Sequence, residues 1–273
     1  MKRIKVTEFL IFYIYPRQRL CRRAGLHLHG ILVFLVILLM KITFTQEINI
    51  HTSRGTDTYD LSDIDSITFS SSPETGTVMD FDENVYKTIK IGNQWWMAEN
   101  LKVKHYNNGD KIRNVTNATD WINLSSGAYC SYNNDDNNIA IYGILYNWFA
   151  VGDSRNVAPE GWHVPSYEEW ETLIEFLGGG AIAGGKMKET GTTHWISPNN
   201  GATNESGFTA LPGGFLDYEG NFRSISIFGV WWSSTGYSAT NAWYCYINNS
   251  GTDVQFREDY EKIVGFSIRC IKN

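Results

Sequence analysis

Four carboxylates crowd one short stretch of the chain, Glu168, Glu169, Glu171 and Glu175. Glycoside hydrolysis needs two carboxylates set about 5 to 9 Å apart across a cleft. These fall on a single predicted helix, with one of them committed to capping it, so they read as a solvated face. Beyond the first 45 residues the histidines are His51, His105, His163 and His194, and none stands in a His-Glu-x-x-His pattern. No Gly-x-Ser-x-Gly elbow is present either. The run Gly180-Ala181-Ile182-Ala183-Gly184-Gly185-Lys186 mimics a phosphate-binding loop, but Met187 stands where a Ser or Thr must reach magnesium. No strand leads into it, and it reads as a flexible loop after a helix end.

Two other sets of residues suit binding. Asn133, Asn134, Asp135, Asp136, Asn137 and Asn138 make an oxygen-rich loop of the kind calcium prefers, with Asp135 and Asp136 the candidate ligands. Their spacing is not that of an EF-hand loop, and the plain alternative is an Asn-rich turn. Trp121, Trp195, Tyr218, Trp231 and Trp232 offer ring faces on which sugars can stack. The same rings can serve as core.

The cysteines depend on the compartment. A basic stretch is followed by the apolar run Ile31 to Met40 and a polar flank with Thr43 and Thr45. Such a run is too short to span a bilayer, which takes roughly 20 residues, and suits a signal peptide. Residues 1–45 are therefore expected to be a signal peptide or, if uncleaved, a membrane anchor, and the protein to be extracytoplasmic, secreted or at the cell surface in association with an outer membrane. Of the 23 Lys and Arg residues eight lie in this segment, which leaves 15 basic against 28 acidic residues over 46–273, a balance of −13. A phosphate backbone would be repelled, which argues against nucleic acid as partner. Cys21 leaves with the signal, and Cys130, Cys245 and Cys270 remain. Three thiols in an oxidising compartment point to one disulfide and one spare. No pair has zinc spacing.

The elements that position these residues are strands, one clear helix and much loop. Residues 46–69 read as a β-hairpin about Arg54-Gly55 with a third short strand at Ile64–Phe69, and 70–77 as a polar linker. Val85–Ile91 alternates as a strand, Gly92-Asn93 is a hairpin turn and Gln94–Met97 its partner. A short helix is expected over Ala140–Ala150. Ser166 and Glu169 form a capping box, Trp170, Leu173, Ile174 and Leu177 make one buried stripe, and Gly178 stops the helix. Strands follow at Val230–Thr235, Ala242–Asn248, Thr252–Arg257 and Ile263–Ile271, with Cys245 and Cys270 on core-facing sides. The content is α+β, and 42% hydrophobic and 14% aromatic residues suffice for a core of bulky rings.

The stretches Val85 to Leu101, Tyr129 to Asp135, Tyr142 to Trp148, Gly161 to Ser166, Trp231-Trp232-Ser233-Ser234 and Arg269-Cys270 resemble, in order, the Fibrobacter succinogenes major paralogous domain, over residues 78–273. That family occurs on secreted and surface proteins of Bacteroidetes-type bacteria. More distantly, Trp162 to Glu171 and Gly265 to Cys270 are similar to motifs of formylglycine-generating enzymes and other sulfatase-modifying factors. This resemblance implies a C-type-lectin-like fold, an irregular antiparallel sheet with short helices and long loops.

The family pattern implies a Cys130–Cys270 disulfide with Cys245 a buried free thiol; a Cys245–Cys270 bridge is the alternative. The lectin-like fold carries ligands among its long loops, which adds Asp217, Tyr218, Glu219 and Asn221 as a second ligand set, although the Glu-Pro-Asn or Gln-Pro-Asp triplet of sugar-binding lectins is missing. The reading is a non-enzymatic exported binding or scaffold module for glycan or protein, without a cofactor unless calcium. The competing reading is a metal-assisted oxidase or hydrolase akin to the formylglycine-generating group, using a thiol pair.

Overall fold

In the computed structural model the described residues are 47–52, 55–60 and 73–273. The chain divides between Ser70 and Ser71 into two compact units. In the first, β1 (Glu47–Thr52) and β2 (Gly55–Asp60) pair antiparallel as the expected hairpin, Thr52 opposite Gly55. The segment 1–45 and the third strand expected at 64–69 lie outside the described residues. Among the described residues no helix is long and apolar enough to cross a membrane.

The second unit begins with three antiparallel strands, β3 (Thr75–Met79), β4 (Val85–Ile91) and β5 (Gln94–Met97). Ile91 pairs with Gln94 across the Gly92-Asn93 turn, as the alternation requires. β3 occupies part of the stretch expected to be linker. Its polar residues are tolerated because it is an edge strand with four of its five side chains exposed.

Next come β6 (Arg113–Asn114), α1 (Ala118–Ile122), β7 (Ala128–Cys130), α2 (Asn137–Tyr142), β8 (Leu145–Tyr146) and α3 (Trp148–Val151). The single helix expected over 140–150 is thus broken in two. Gly143 sits at φ 77°, and a Cβ there would lie 2.7 Å from that of Asn100. Only glycine permits that backbone turn and that approach.

After β9 (Trp162–His163), α4 (Tyr167–Phe176) forms as its sequence demands. The Ser166 Oγ accepts from the Glu169 amide while the Glu169 carboxylate accepts from that of Ser166. Trp170, Leu173, Ile174 and Leu177 are all buried. The segment expected as a flexible loop is instead α5 (Gly180–Met187). Its glycines let it lie directly on neighbouring backbone: a Cβ on Gly184 would stand 2.4 Å from the Asp253 carbonyl oxygen, and one on Gly185 2.5 Å from that of Gly201.

The last third holds β10 (Phe215–Leu216), β11 (Phe222–Arg223), β12 (Phe228–Gly236), β13 (Ala242–Asn248), β14 (Gln255–Arg257) and β15 (Ile271–Lys272). β14 covers only the end of the strand expected at 252–257. Strands β12, β13 and β14 form one antiparallel sheet, and β3-β4-β5-β15-β9 another. The strand expected over 263–271 is not one ladder. Gly265 bridges to Leu216, Phe266 to Tyr146, Ser267 to Trp231, and Ile271 to both Trp96 and His163. One fully buried segment therefore stitches four separate sheets together. The fold is α+β, mostly antiparallel, with short helices and three hydrophobic clusters.

Candidate functional site

One face of the β12–β14 sheet packs into the core and the other opens into a cleft. Successive side chains on a strand alternate in direction. Trp231, Cys245 and Ile247 join a cluster with α4. Phe228, Val230, Tyr244 and Tyr246 project the other way and, with Phe215, Tyr260 and Phe266 from flanking segments, line a cleft of about 340 Å³. That volume lies at the lower end of small-molecule sites, which span about 300 to 1,000 Å³.

The rings brace one another. Centroids are 4.9 Å apart for Tyr244 and Phe266, 5.4 Å for Tyr244 and Tyr260, 5.5 Å for Phe228 and Tyr246, and 5.7 Å for Phe215 and Tyr260. Such tilted contacts hold side chains rigidly without further ordering cost when a ligand arrives. Polar groups gather at the rim. The Tyr244 hydroxyl donates to Asp259 Oδ1 at 2.7 Å. Burial, and then that hydrogen bond, raises the Tyr244 pKa well above the phenolic range, so the hydroxyl stays a donor. Arg257 stands opposite Tyr244 in the ladder and interacts with the Tyr246 hydroxyl. Among the described residues Arg257 has no carboxylate at ion-pair distance, whereas Arg155 and Arg223 are each paired.

A larger groove of about 500 Å³ runs past Phe176 and Gly92. Its lysines are neutralised, Lys90 by Glu74 at 2.8 Å and Lys186 by Glu205 at 2.9 Å. Paired, exposed charges leave it with little to recognise a ligand, so the aromatic cleft is the better candidate.

The sequence-predicted residues fall elsewhere, with one exception. Trp121, Trp195, Trp231 and Trp232 are buried, and each indole N–H is spent on a protein acceptor: Ile263 O, Ala210 O, Asn100 Oδ1 and Tyr146 O respectively. They present no face to a sugar, which corrects the stacking expectation in favour of core. The exception is the loop Asp217, Tyr218, Glu219 and Asn221, which forms the tip of the β10–β11 hairpin beside the cleft; Phe215 at the base of that hairpin and Ser224 just after it line the cavity. Asp217 itself organises the turn, accepting from the Glu219 and Asn221 amides and from Arg223 Nε at 2.6 Å. Burial pushes its carboxyl up, but these donors more than offset that and hold it below the usual range. Tyr218, Glu219 and Asn221 are exposed.

Asp135 and Asp136 do not converge. Asp135 Oδ1 accepts from the Asn137 amide and side chain, and Asp136 Oδ1 from the Ser131 hydroxyl, so both serve a local turn. Among the described residues no group of three or more His, Cys, Asp or Glu side chains is arranged to hold a metal ion. His105, His163 and His194 each meet a carboxylate, Asp82, Glu169 and Glu189, without a Ser or Cys nucleophile hydrogen-bonded to them.

The Cys130–Cys270 disulfide that the resemblance implied is not formed, and neither is the Cys245–Cys270 alternative. All three are free, buried thiols, each in a different hydrophobic cluster. Burial raises the pKa of each, so none is poised as a thiolate.

The cleft residues Phe215, Phe228, Tyr244, Tyr246, Arg257 and Asp259 escaped the sequence reading. A signal was there: with Cys245 and Ile247 facing the core, the alternating Tyr244 and Tyr246 had to face the other way.

Neither the curated proteins nor the solved structures contain a match to this chain. The sequence model of the Fibrobacter succinogenes major domain matches residues 89–272, from the middle of β4 into β15, so the chain belongs to that family.

Proposed function

We propose that this protein is an exported, non-enzymatic binding module that holds a small saccharide in the cleft over β12–β14. One observation carries the reading: half-buried rings, Phe215, Phe228, Tyr246 and Tyr260, share a concavity with an unpaired guanidinium and a carboxylate at the rim. Sugar rings have an apolar face that stacks on aromatics and an edge of hydroxyls that needs both donors and acceptors. Arg257 supplies donors only, and Asp259 acceptors only. The rigid lectin-like frame implied by resemblance, and the acidic balance of 46–273, agree with a surface-exposed recognition role.

The test is a glycan array probed with the full chain, with and without EDTA, followed by titration of the best binder. Replacing Tyr246 by Ala should weaken binding about tenfold, the usual scale of one aromatic contact, with the thermal midpoint little changed. Binding lost in EDTA would instead place recognition on a cation-dependent surface. Absence of any glycan binding, with a surface protein captured through the same cleft, would replace the saccharide by a peptide ligand.

A further inference from the structure

The unpaired state of Arg257 says something about the class of saccharide. This inference rests on the cleft being the binding site, and names the chemistry of its ligand. We propose that the ligand is an acidic sugar, one whose ring carries a carboxylate, and that Arg257 receives that carboxylate.

Two other guanidinium groups at the surface of this domain are held by carboxylates, while Arg113, which like Arg257 has no ion pair among the described residues, does not line the cleft. Arg155 reaches Asp153 at 2.7 Å and Asp110 at 3.1 Å, and Arg223 reaches Asp217 at 2.6 Å. Arg257 has the nearest carboxylate, Asp259, drawn off toward the Tyr244 hydroxyl instead. It is exposed, lines the cleft and is held by a hydrogen bond with Tyr246. A planar fork of donors matches a carboxylate with two parallel hydrogen bonds, a geometry that a neutral hydroxyl cannot reciprocate.

Asp259 completes the argument rather than opposing it. It is fixed by Tyr244, so the rim carries a cation at one position and an acceptor at another. A uronic acid is polarised in the same sense, with its carboxylate at one end of the ring and hydroxyl donors along the remainder. The ligand is thereby oriented, its apolar face toward Phe228 and Tyr246. The acidic surroundings act at long range and are screened beyond about 8 Å at physiological ionic strength, while the bidentate contact acts at bonding distance.

The experiment titrates the full chain with methyl glycosides in matched pairs, glucoside against glucuronide and galactoside against galacturonide, read by calorimetry and ligand-observed NMR. The acidic member of at least one pair should bind about tenfold tighter. Arg257→Gln should erase that advantage, weakening the acidic partner far more than the neutral one, and Arg257→Lys should restore only part of it. Both variants change an exposed side chain, and an unaltered thermal midpoint checks that they fold. If neutral and acidic glycosides bind equally and both are weakened by Tyr246→Ala, the cleft remains the site and the acidic-ligand inference is overturned. If no glycoside perturbs the protein in either readout, the saccharide reading itself falls, and the inference with it.

Discussion

Asn100 Oδ1 receives both Nε and Nη2 of Arg269, at 3.1 and 2.9 Å, although neither residue reaches the surface. The same oxygen also accepts from Trp231 Nε1 at 2.8 Å, and the Asn100 amide donates to Tyr142 O at 2.8 Å. Arg269 spends its other donors on the Met97 and Phe208 carbonyls and stacks over the Phe208 ring, 4.2 Å from its centroid. Burial pushes its pKa down to about 9, so it is still charged at neutral pH. A buried cation without a buried anion survives only because neutral oxygens surround it.

Asn100→Ala removes the acceptor shared by a buried charge and an indole. It should destabilise the protein by roughly 3 to 5 kcal/mol, measured by chemical denaturation, because two sets of buried donors lose their partner at once. A cost below about 1 kcal/mol would mean that the hub is dispensable.

Lys188 presents a second buried cation, its Nζ on the carbonyls of Asn200, Asn248 and Gly251 at 2.8, 3.1 and 2.8 Å. Burial pushes its pKa down from the ordinary 10.5 to about 8, with Asp253 pulling weakly the other way. The folded state therefore releases this proton before the unfolded one. The Lys188 contribution carries the full cost of burying the charge below about pH 8 and rises by roughly 2 kcal/mol from there to about pH 10. Cys130, Cys245 and Cys270 from about pH 8.5, and Tyr86, Tyr146 and Tyr244 from about pH 10, all held neutral by burial, oppose that contribution as the unfolded thiols and phenols ionise. Urea midpoints taken across this range should show the native protein gaining on Lys188→Met by that amount as pH rises, whatever trend the two share.

Cys130, Cys245 and Cys270 should resist iodoacetamide in the folded protein and all be labelled once denatured without reductant. Peptide mass spectrometry decides it. A Cys130–Cys270 linked peptide from the exported protein would restore the pairing that resemblance implied.

Gly143→Ala should cost roughly 2 to 4 kcal/mol, because the residue would be forced to φ 77° and its methyl driven against Asn100 and Leu101. Thermal unfolding read against the native protein checks this; Gly161→Ala, with φ 76° and nothing near its Cβ, isolates the backbone contribution.

Local rules were legible in the sequence and collisions between distant segments were not. The capping box of Ser166 and Glu169 and the Gly92-Asn93 turn are settled by residues four or fewer apart, and both formed as read. The break at Gly143 depends on Asn100, more than forty positions earlier, and the helix at Gly180–Met187 forms where its glycines meet Thr252 and Asp253. The candidate site was lost for the same reason. Large aromatic residues are good evidence of burial, and Trp121, Trp195, Trp231 and Trp232 are each at most 1% exposed. Alternation sends Tyr244 and Tyr246 to the face opposite Cys245, but the cleft there is closed by Phe215, Tyr260 and Phe266 from other segments, which no short motif records.

The buried segment from Val264 to Ile271 has a consequence for the order of folding. Its bridges reach back to Leu216, Tyr146, Trp231, Trp96 and His163, so its contacts close long loops and can form only once those partners are in place. Until it docks the interior is unfinished, and that late, non-local step sets the pace at which the domain closes. Deleting residues 264–271 would remove little mass and yet take the shared seam from four sheets at once.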